Sequence, residues 1–120
     1  MASTITKTNP NDTAAPDESL ARHAAFFHAL SDPRRLRILD LLRGGEQCVC
    51  DLQADLDIGQ SLLSFHLKTL RDAGFVTMRK EGRWSHYQLA ESAFEHAEQA
   101  VAAYRVPTHQ RRRLPVSCCG

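Results

Sequence analysis

The chain has 120 residues, a formal net charge of +1 at pH 7 and a hydrophobic content of 42%. These values suit one small domain with tails, and its modest core suggests that oligomerisation would add stability. The near-zero charge excludes an overall basic field, so any argument for nucleic acid binding rests on local clusters. No apolar run approaches the roughly 20 residues that span a bilayer and no signal peptide is visible, so we expect a cytoplasmic protein with no membrane partner, whose four cysteines serve metal or redox chemistry.

The N-terminal part combines a polar arm with an amphipathic helix. Residues 1–16 contain Pro10 and Pro16 and show no periodicity, which predicts a disordered arm ahead of a domain at 17–104. A helix is predicted from Glu18 to about Leu30, and Phe26 gives it a second apolar edge. Its main stripe follows helical spacing: Leu20, Ala24, Phe27 and Leu30.

The next helix has a clear start and a clear stop. Asp32-Pro33 supplies a capping side chain and a proline at the first helical position, and Gly44-Gly45 ends the helix after Arg43. Its expected core residues are Leu36, Ile38, Leu39 and Leu42. Its basic residues are either a solvated face or contacts to a phosphate backbone: Arg34, Arg35 and Arg37.

Two helices joined by a short turn follow. The first runs from Cys50 to about Leu56, the turn contains Gly59, and the second runs from Gln60 to Ala73 before Gly74. The second helix has a core side at spacing i, i+4 and i+7: Leu63, Leu67 and Leu70. This arrangement predicts a helix-turn-helix unit, whose second helix, here called the reading helix, enters the major groove of DNA.

The remaining surface of the reading helix carries amide, hydroxyl and cationic groups suited to base edges and phosphates. Its candidate DNA-binding residues are Gln60, Ser61, Ser64, Phe65, Lys68 and Arg71. An ordinary wet surface is the alternative, although an exposed phenyl ring at Phe65 favours a thymine methyl or protein partner. His66 on the same helix is interpreted as a packing residue or a DNA contact.

Two β-type runs, 75–80 and 83–89, flank Glu81-Gly82 and predict a hairpin. The hairpin tip is cationic and adds further DNA-binding candidates: Arg79, Lys80 and Arg83. A helix-turn-helix followed by a basic hairpin, here called the wing, predicts a mainly α fold of the winged helix-turn-helix class.

A last helix is predicted from Ser92 to about Tyr104, with an apolar stripe of Phe94, Ala97, Val101 and Tyr104. With the first helix it offers a natural dimer surface, and packing within one chain is the alternative. Residues 105–120 are rich in proline and arginine and end in Cys118-Cys119-Gly120, which predicts a flexible basic tail with a terminal cysteine pair.

Several stretches together resemble the ArsR/SmtB family of metal-sensing repressors across about residues 20 to 104. They are ALSDPRRLRIL from Ala29, CVCDL from Cys48, QSLLSFHLKTLRDAG from Gln60 and GRWSHYQL from Gly82. CVCDL is the most specific, because it is similar to the thiol box of the arsenic-responsive and cadmium/lead-responsive branches. The resemblance implies a homodimeric repressor that binds an inverted repeat in double-stranded operator DNA and leaves it when metal binds.

The chain departs from the family pattern in its ligand residues. Gln53 occupies the position of the third cysteine that the arsenic branch often carries, and residues 1–16 lack the cysteines of the cadmium/lead branch. His96 and His109 do not reproduce the zinc spacing of the last helix. A thiol-dependent arsenate reductase is also disfavoured, because a phosphate-cradling C-x5-R loop would need arginine at Ala54 or Leu56.

The cysteine geometry sets a condition on metal binding. Residues i and i+2 on a helix point about 200° apart, so Cys48 and Cys50 can share an ion only if Cys48 is not helical or the helix distorts. Soft thiolates select thiophilic ions, and a trivalent metalloid prefers three of them. The tail can supply the third, because Arg105 to Cys119 spans ~45 Å when extended.

We therefore expect metal ligands among Cys48, Cys50, Cys118 and Cys119, arsenite or antimonite as inducer, and no organic cofactor. Three alternatives stay open. The thiols could sense oxidation, they could sense cadmium or lead, or the adjacent pair Cys118-Cys119 could hold a methylated arsenical alone.

Overall fold

The computed structural model describes residues 16–111; the predicted arm up to residue 15 and the tail from 112, with Cys118 and Cys119, lie outside this range. The helices are α1 Pro16–Ala29, α2 Pro33–Leu42, α3 Val49–Leu56, α4 Gln60–Asp72 and α5 Glu91–Ala102. The strands are β1 Gln47–Cys48, β2 Val76–Glu81 and β3 Trp84–Leu89, and a 3-10 turn covers Thr108–Gln110. Within residues 16–111, no helix has the length and apolar character needed to cross a membrane.

The predicted start of α2 is confirmed. The carboxylate of Asp32 accepts hydrogen bonds from the backbone N–H of Arg34 at 2.7 Å and of Arg35 at 3.4 Å, and Pro33 opens the helix. The core prediction for α2 is partly wrong. Leu36 is 49% exposed, and the buried apolar residues are Ile38, Leu39 and Leu42.

The core is assembled from one face of each helix and from the residues that follow α4. The predicted core of α4 is confirmed, since Leu63, Leu67 and Leu70 are at most 1% exposed. In α1 the buried residues are Phe26 and Ala29. Of the stripe predicted from Leu20, Leu20 and Ala24 are exposed, whereas Phe27 and Leu30 are half-buried and pack against the core. The part of the stripe that stays exposed leaves an apolar surface on α1 for another partner.

Aromatic rings join the two ends of the domain. The ring of Phe26 meets that of Phe75 edge-on with 5.8 Å between centroids, and Phe75 lies 4.8 Å from Phe94 of α5. Phe75 is completely buried. These contacts bring α1 and α5 together beside the helix-turn-helix unit.

The wing is confirmed and carries one strand that was not predicted. Strands β2 and β3 pair antiparallel from Val76–Leu89 to Glu81–Trp84. Gly82 lies in the turn with a φ of 63°, in the left-handed region that glycine enters without strain. The two-residue strand β1 pairs antiparallel with β3, so the sheet order is β1-β3-β2.

We expect Gly74→Ala to lower the free energy of unfolding by about 1–3 kcal/mol. Gly74 ends the reading helix with a φ of 91°, and an added Cβ would lie 3.3 Å from the Cβ of Ala93. Gly44→Ala is the matched control, because no atom lies within 4 Å of its added Cβ. Chemical denaturation measures both variants, and equal stability would contradict the expectation.

Candidate functional site

The predicted thiol pair, Cys48 and Cys50, is here called the thiol box. Cys48 is the N-cap of α3 and has extended dihedral angles, φ −71° and ψ 147°. Its Sγ accepts a hydrogen bond from the backbone N–H of Cys50 at 3.3 Å. Because Cys48 is not helical, the opposed directions of residues i and i+2 on a helix do not keep the two thiols apart.

The immediate surroundings of the thiol box favour an accessible ligand position on a firmly held helix. Cys50 is exposed and Cys48 is half-buried, whereas Leu52, two residues further along α3, is completely buried. Hydrogen bonding with Cys48, followed by partial burial, raises the pKa of the Cys50 thiol above its usual range. A soft ion must displace this proton, so its affinity is expected to increase as the pH rises.

The thiol box offers two donors, and the part of the chain that the structure describes adds no others close by. Among residues 16–111, no group of three or more histidine, cysteine or acidic side chains is placed to hold a metal ion. Two thiols suit chelation of a thiophilic ion, while a three-thiolate pyramid requires a further donor. Participation of Cys118 and Cys119 stays a prediction, because both lie outside the described residues.

The thiol box is attached to the wing. Cys48 is a residue of β1, and its partner in the ladder is His86 of β3. Just before β1, the carboxylate of Glu46 receives two hydrogen bonds from the guanidinium of Arg79, at 2.7 and 3.0 Å. This ion pair lowers the pKa of Glu46. This pair could not be predicted from the sequence, because Glu46 and Arg79 are far apart in the chain.

The candidate DNA-binding residues of the reading helix, with one exception, form a continuous exposed face. The exposed side chains are Gln60, Ser61, Ser64, Phe65, Lys68 and Arg71. Phe65 is 57% exposed. Lys68 pairs with Asp72 at 2.8 Å and Arg71 approaches the sulfur of Met78 at 3.5 Å, contacts that are both on the surface and weak enough to exchange.

At the wing, Lys80 and Arg83 are exposed near the turn. Arg79 is also exposed, but it pairs with Glu46 and lies 3.4 Å from Glu81. Two carboxylates therefore offset part of its charge, and a phosphate contact by Arg79 stays a prediction. Trp84 at the start of β3 is also 51% exposed, and the sequence did not indicate this exposed aromatic ring beside the basic tip of the wing.

His66 is the exception on the reading helix. It is 2% exposed, so the suggested DNA contact is corrected and the packing alternative holds. Arg35 needs a similar correction, because it is 4% exposed and is neither solvated nor available to phosphate. Helical spacing could have revealed both. Arg35 shares the buried face of α2 with Ile38, Leu39 and Leu42. His66 shares the buried face of α4 with Leu63, Leu67 and Leu70.

An apolar groove of about 490 Å³ lies between α1 and α5. The groove coincides with the dimer surface predicted from the sequence, which the first and last helices form. Val101 and Tyr104 from the predicted stripe are 57% and 67% exposed. The groove is lined by Phe27, Leu30, Phe94, Ala97, Glu98, Val101, Ala102 and Arg105.

We expect substitutions on the reading helix and on the wing to affect DNA binding differently. Ser64→Ala or Gln60→Ala should cost about 1–3 kcal/mol on the specific site and relax base preference. Arg83→Ala should weaken binding to all sequences and flatten the salt dependence, as for a phosphate contact. Titrations on operator and random DNA at several salt concentrations measure this. Equal losses on both DNAs for all three variants would exclude Gln60 and Ser64 as base readers.

Comparison with known proteins finds a matching family and several similar proteins. Residues 32–78 match the family described as "Bacterial regulatory protein, arsR family". The chain is 44% identical over 73 residues to the "Arsenical resistance operon repressor" of Bacillus subtilis, covering 60% of this chain and 70% of that protein. It is also 44% identical over 69 residues to the "Transcriptional repressor SmtB homolog" of Synechocystis, covering 58% and 52%.

A solved structure shares the architecture. The crystal structure of an ArsR family transcriptional regulator superposes with a TM-score of 0.71 at 25% sequence identity. The match covers 78% of this chain and 96% of that chain.

Proposed function

The chain belongs to the ArsR family of DNA-binding transcriptional regulators, which are not enzymes, and on this basis we propose that it is a repressor responsive to arsenic(III) or antimony(III). It binds operator DNA in the cytoplasm as a homodimer and releases the operator when its thiols bind the metalloid. The observation that carries the proposal is the position of Cys48, an extended residue that lies two positions before Cys50 and caps the first helix of the helix-turn-helix unit.

Chelation changes the start of α3. The Sγ of Cys48 now accepts the N–H of Cys50, and an ion held by both thiols competes for the same sulfur. The change passes to the reading helix through a short and constrained connection. Asp57 caps the C-terminus of α3 in the left-handed conformation, with φ 53°, and Gly59 is the N-cap of α4 two residues later. A displacement of α3 is therefore expected to reorient α4 and weaken operator binding.

The proposed dimer surface is the groove between α1 and α5. Phe27, Leu30 and Val101 lie along it, and each presents apolar area that a second copy could remove from water. Small side chains such as Ala97 and Ala102 allow a partner helix to approach closely. Two reading helices held by one such surface would meet successive half-sites of an inverted repeat.

The third thiolate is proposed to come from the tail. The thiol box contributes one or two sulfurs, and one or both of Cys118 and Cys119 complete the set of three. This combination supplies the three thiolates that the trivalent metalloid prefers, although Gln53 stands in the position of the usual third cysteine.

The second candidate function uses the same surfaces with a different signal. An exposed Cys50 beside Cys48 favours either thiol oxidation or capture of cadmium or lead. The chain is similar to an SmtB homolog as well as to arsenical resistance repressors, so both candidate functions share the support of these relatives.

Operator binding in the presence of arsenite, antimonite, cadmium or peroxide tests the proposal. We expect arsenite and antimonite to release the operator at lower concentrations than cadmium, and peroxide to have no effect under reducing conditions. Release by cadmium alone would favour the hypothesis of a repressor that senses cadmium or lead. Release by peroxide that dithiothreitol reverses, with no response to arsenite, would favour thiol oxidation.

A further inference from the structure

A buried arginine connects three helices of the domain. Arg35 lies in the first turn of α2, and its Nε donates to the carbonyl oxygen of Ala29 at 2.8 Å. One terminal nitrogen, Nη2, donates to the carbonyl oxygen of His28 at 3.1 Å, and the other, Nη1, lies 3.0 Å from Nδ1 of His66. Both carbonyls belong to the last turn of α1, beyond the helical N–H groups, and the carbonyl oxygen of His28 also accepts from the N–H and the hydroxyl of Ser31. A single side chain thus joins the end of α1 to the middle of the reading helix.

The contact fixes the protonation of His66. A guanidinium can only donate, so Nδ1 of His66 must accept and the ring proton must reside on Nε2. Nε2 is buried and has no hydrogen-bond partner among the residues the structure describes. An unpaired buried N–H is unfavourable, which indicates that the contact with Arg35 determines the state of the ring.

We propose that Arg35 and His66 form a joint that positions the reading helix for operator binding. The polar face of α4 contacts DNA in the proposed function, on which this inference rests, while the joint holds the opposite face of the same helix. Arg35 and His66 touch no DNA and act through the exposed residues of α4. Because the joint also ends on α1, it relates the reading helix to the proposed dimer groove, and therefore to the reading helix of a second copy.

The joint depends on a neutral imidazole. Protonated His66 would carry an N–H on both ring nitrogens and would point Nδ1–H at the guanidinium of Arg35, so the hydrogen bond and the added charge are incompatible. The charged groups that act on the ring are Asp32, Arg34 and Arg35. Burial and the two arginines lower the pKa of His66 below its ordinary value of 6.5, and Asp32 opposes them.

The sign of the pH effect follows. With the joint closed, the pKa of His66 is depressed; with the joint open, the pKa returns toward its ordinary value, so the open form binds more protons. The closed joint is fully stable above the ordinary value and loses stability as the pH falls toward the depressed value. Operator affinity should therefore decline on the acid side of neutrality.

His66→Gln is the decisive variant in the full-length chain. The glutamine carbonyl can still accept from Arg35, but the side chain does not titrate. We expect it to bind operator at pH 7.5 within about threefold of the parent, a difference below 1 kcal/mol. Between pH 7.5 and 5.5 the parent should lose severalfold more affinity than His66→Gln, because only the parent takes up a proton on His66 when the joint opens.

His96→Gln is the matched control, because His96 is an exposed histidine of α5. It should keep the pH profile of the parent. Arg35→Met should weaken operator binding at pH 7.5 by more than about tenfold, since it removes the joint together with the hydrogen bond to the carbonyl oxygen of Ala29. If Arg35→Met does not fold, ring ¹⁵N shifts of His66 in the parent replace it, with the Nε2–H tautomer expected at pH 7.5.

The joint is overturned if His66→Gln and the parent have the same pH profile, if Arg35→Met folds and binds as the parent does, or if His66 is charged or protonated on Nδ1 at pH 7.5. A parent that binds no operator at pH 7.5 would instead remove the DNA-binding function itself. The arsenite response is independent of the joint, and its failure alone would leave this inference standing.

Discussion

We expect Val101→Glu to produce a monomer that binds operator at least about 100-fold more weakly than the parent. Val101 is 57% exposed in the single chain and lines the apolar groove with Phe27 and Leu30. A second copy seated on this groove would remove the side chain from water. A carboxylate there would have to lose its hydration when the second copy covers the groove, which costs several kcal/mol.

Sedimentation and operator titration measure this result. Gln99→Glu is the matched control, because it adds the same charge to an exposed position of α5 that does not line the groove. The control should remain dimeric and bind operator. A dimeric Val101→Glu protein would move the dimer surface elsewhere, and a monomer that binds operator normally would show that the dimer is not needed for binding.

The second large effect concerns the inducer. We expect truncation after Val116 to leave operator binding intact while the arsenite concentration needed for release rises by at least about 100-fold. The physical reason is the loss of a thiolate from a site that prefers three, since the thiol box has only Cys48 and Cys50. Operator titration with increasing arsenite measures the shift.

Single substitutions separate the remaining sulfurs. Cys118→Ser and Cys119→Ser in the full chain test each tail thiol without shortening the tail, whose arginines all precede Val116 and are kept in the truncation. Cys48→Ser and Cys50→Ser identify the ligand in the thiol box, and we favour Cys50, whose place inside α3 couples it directly to the reading helix. An unchanged arsenite response after truncation would show that the thiol box is sufficient without the tail.

Local signals in the sequence predicted most of the fold. The Asp32-Pro33 cap, the spacing of Leu63, Leu67 and Leu70, and the hairpin turn at Gly82 each depend on neighbours in the chain, and the structure confirms them. These features require only dihedral preferences and periodic burial, which a single sequence displays directly.

The features that the sequence concealed depend on distant partners. Strand β1 is two residues long and exists only because β3 offers it an edge, so no alternation could reveal it. Helical spacing places Arg35 on the buried face of α2, but it does not reveal the acceptors of its guanidinium, because the end of α1 and His66 become its neighbours only in the folded chain. Once a guanidinium has several acceptors, it can occupy a position that spacing assigns to a core residue.

Cys48 belongs to two structures at once, as the last residue of β1 and the cap of α3. One change at this residue therefore alters the attachment of the wing and the start of the helix-turn-helix unit together. Inducer sensitivity cannot be adjusted at Cys48 without also altering how firmly the inducer-free protein holds DNA. Exposed Cys50 is under no such double constraint, so new ion specificities are best sought there, by exchanging its sulfur for other donors while Cys48 is left unchanged.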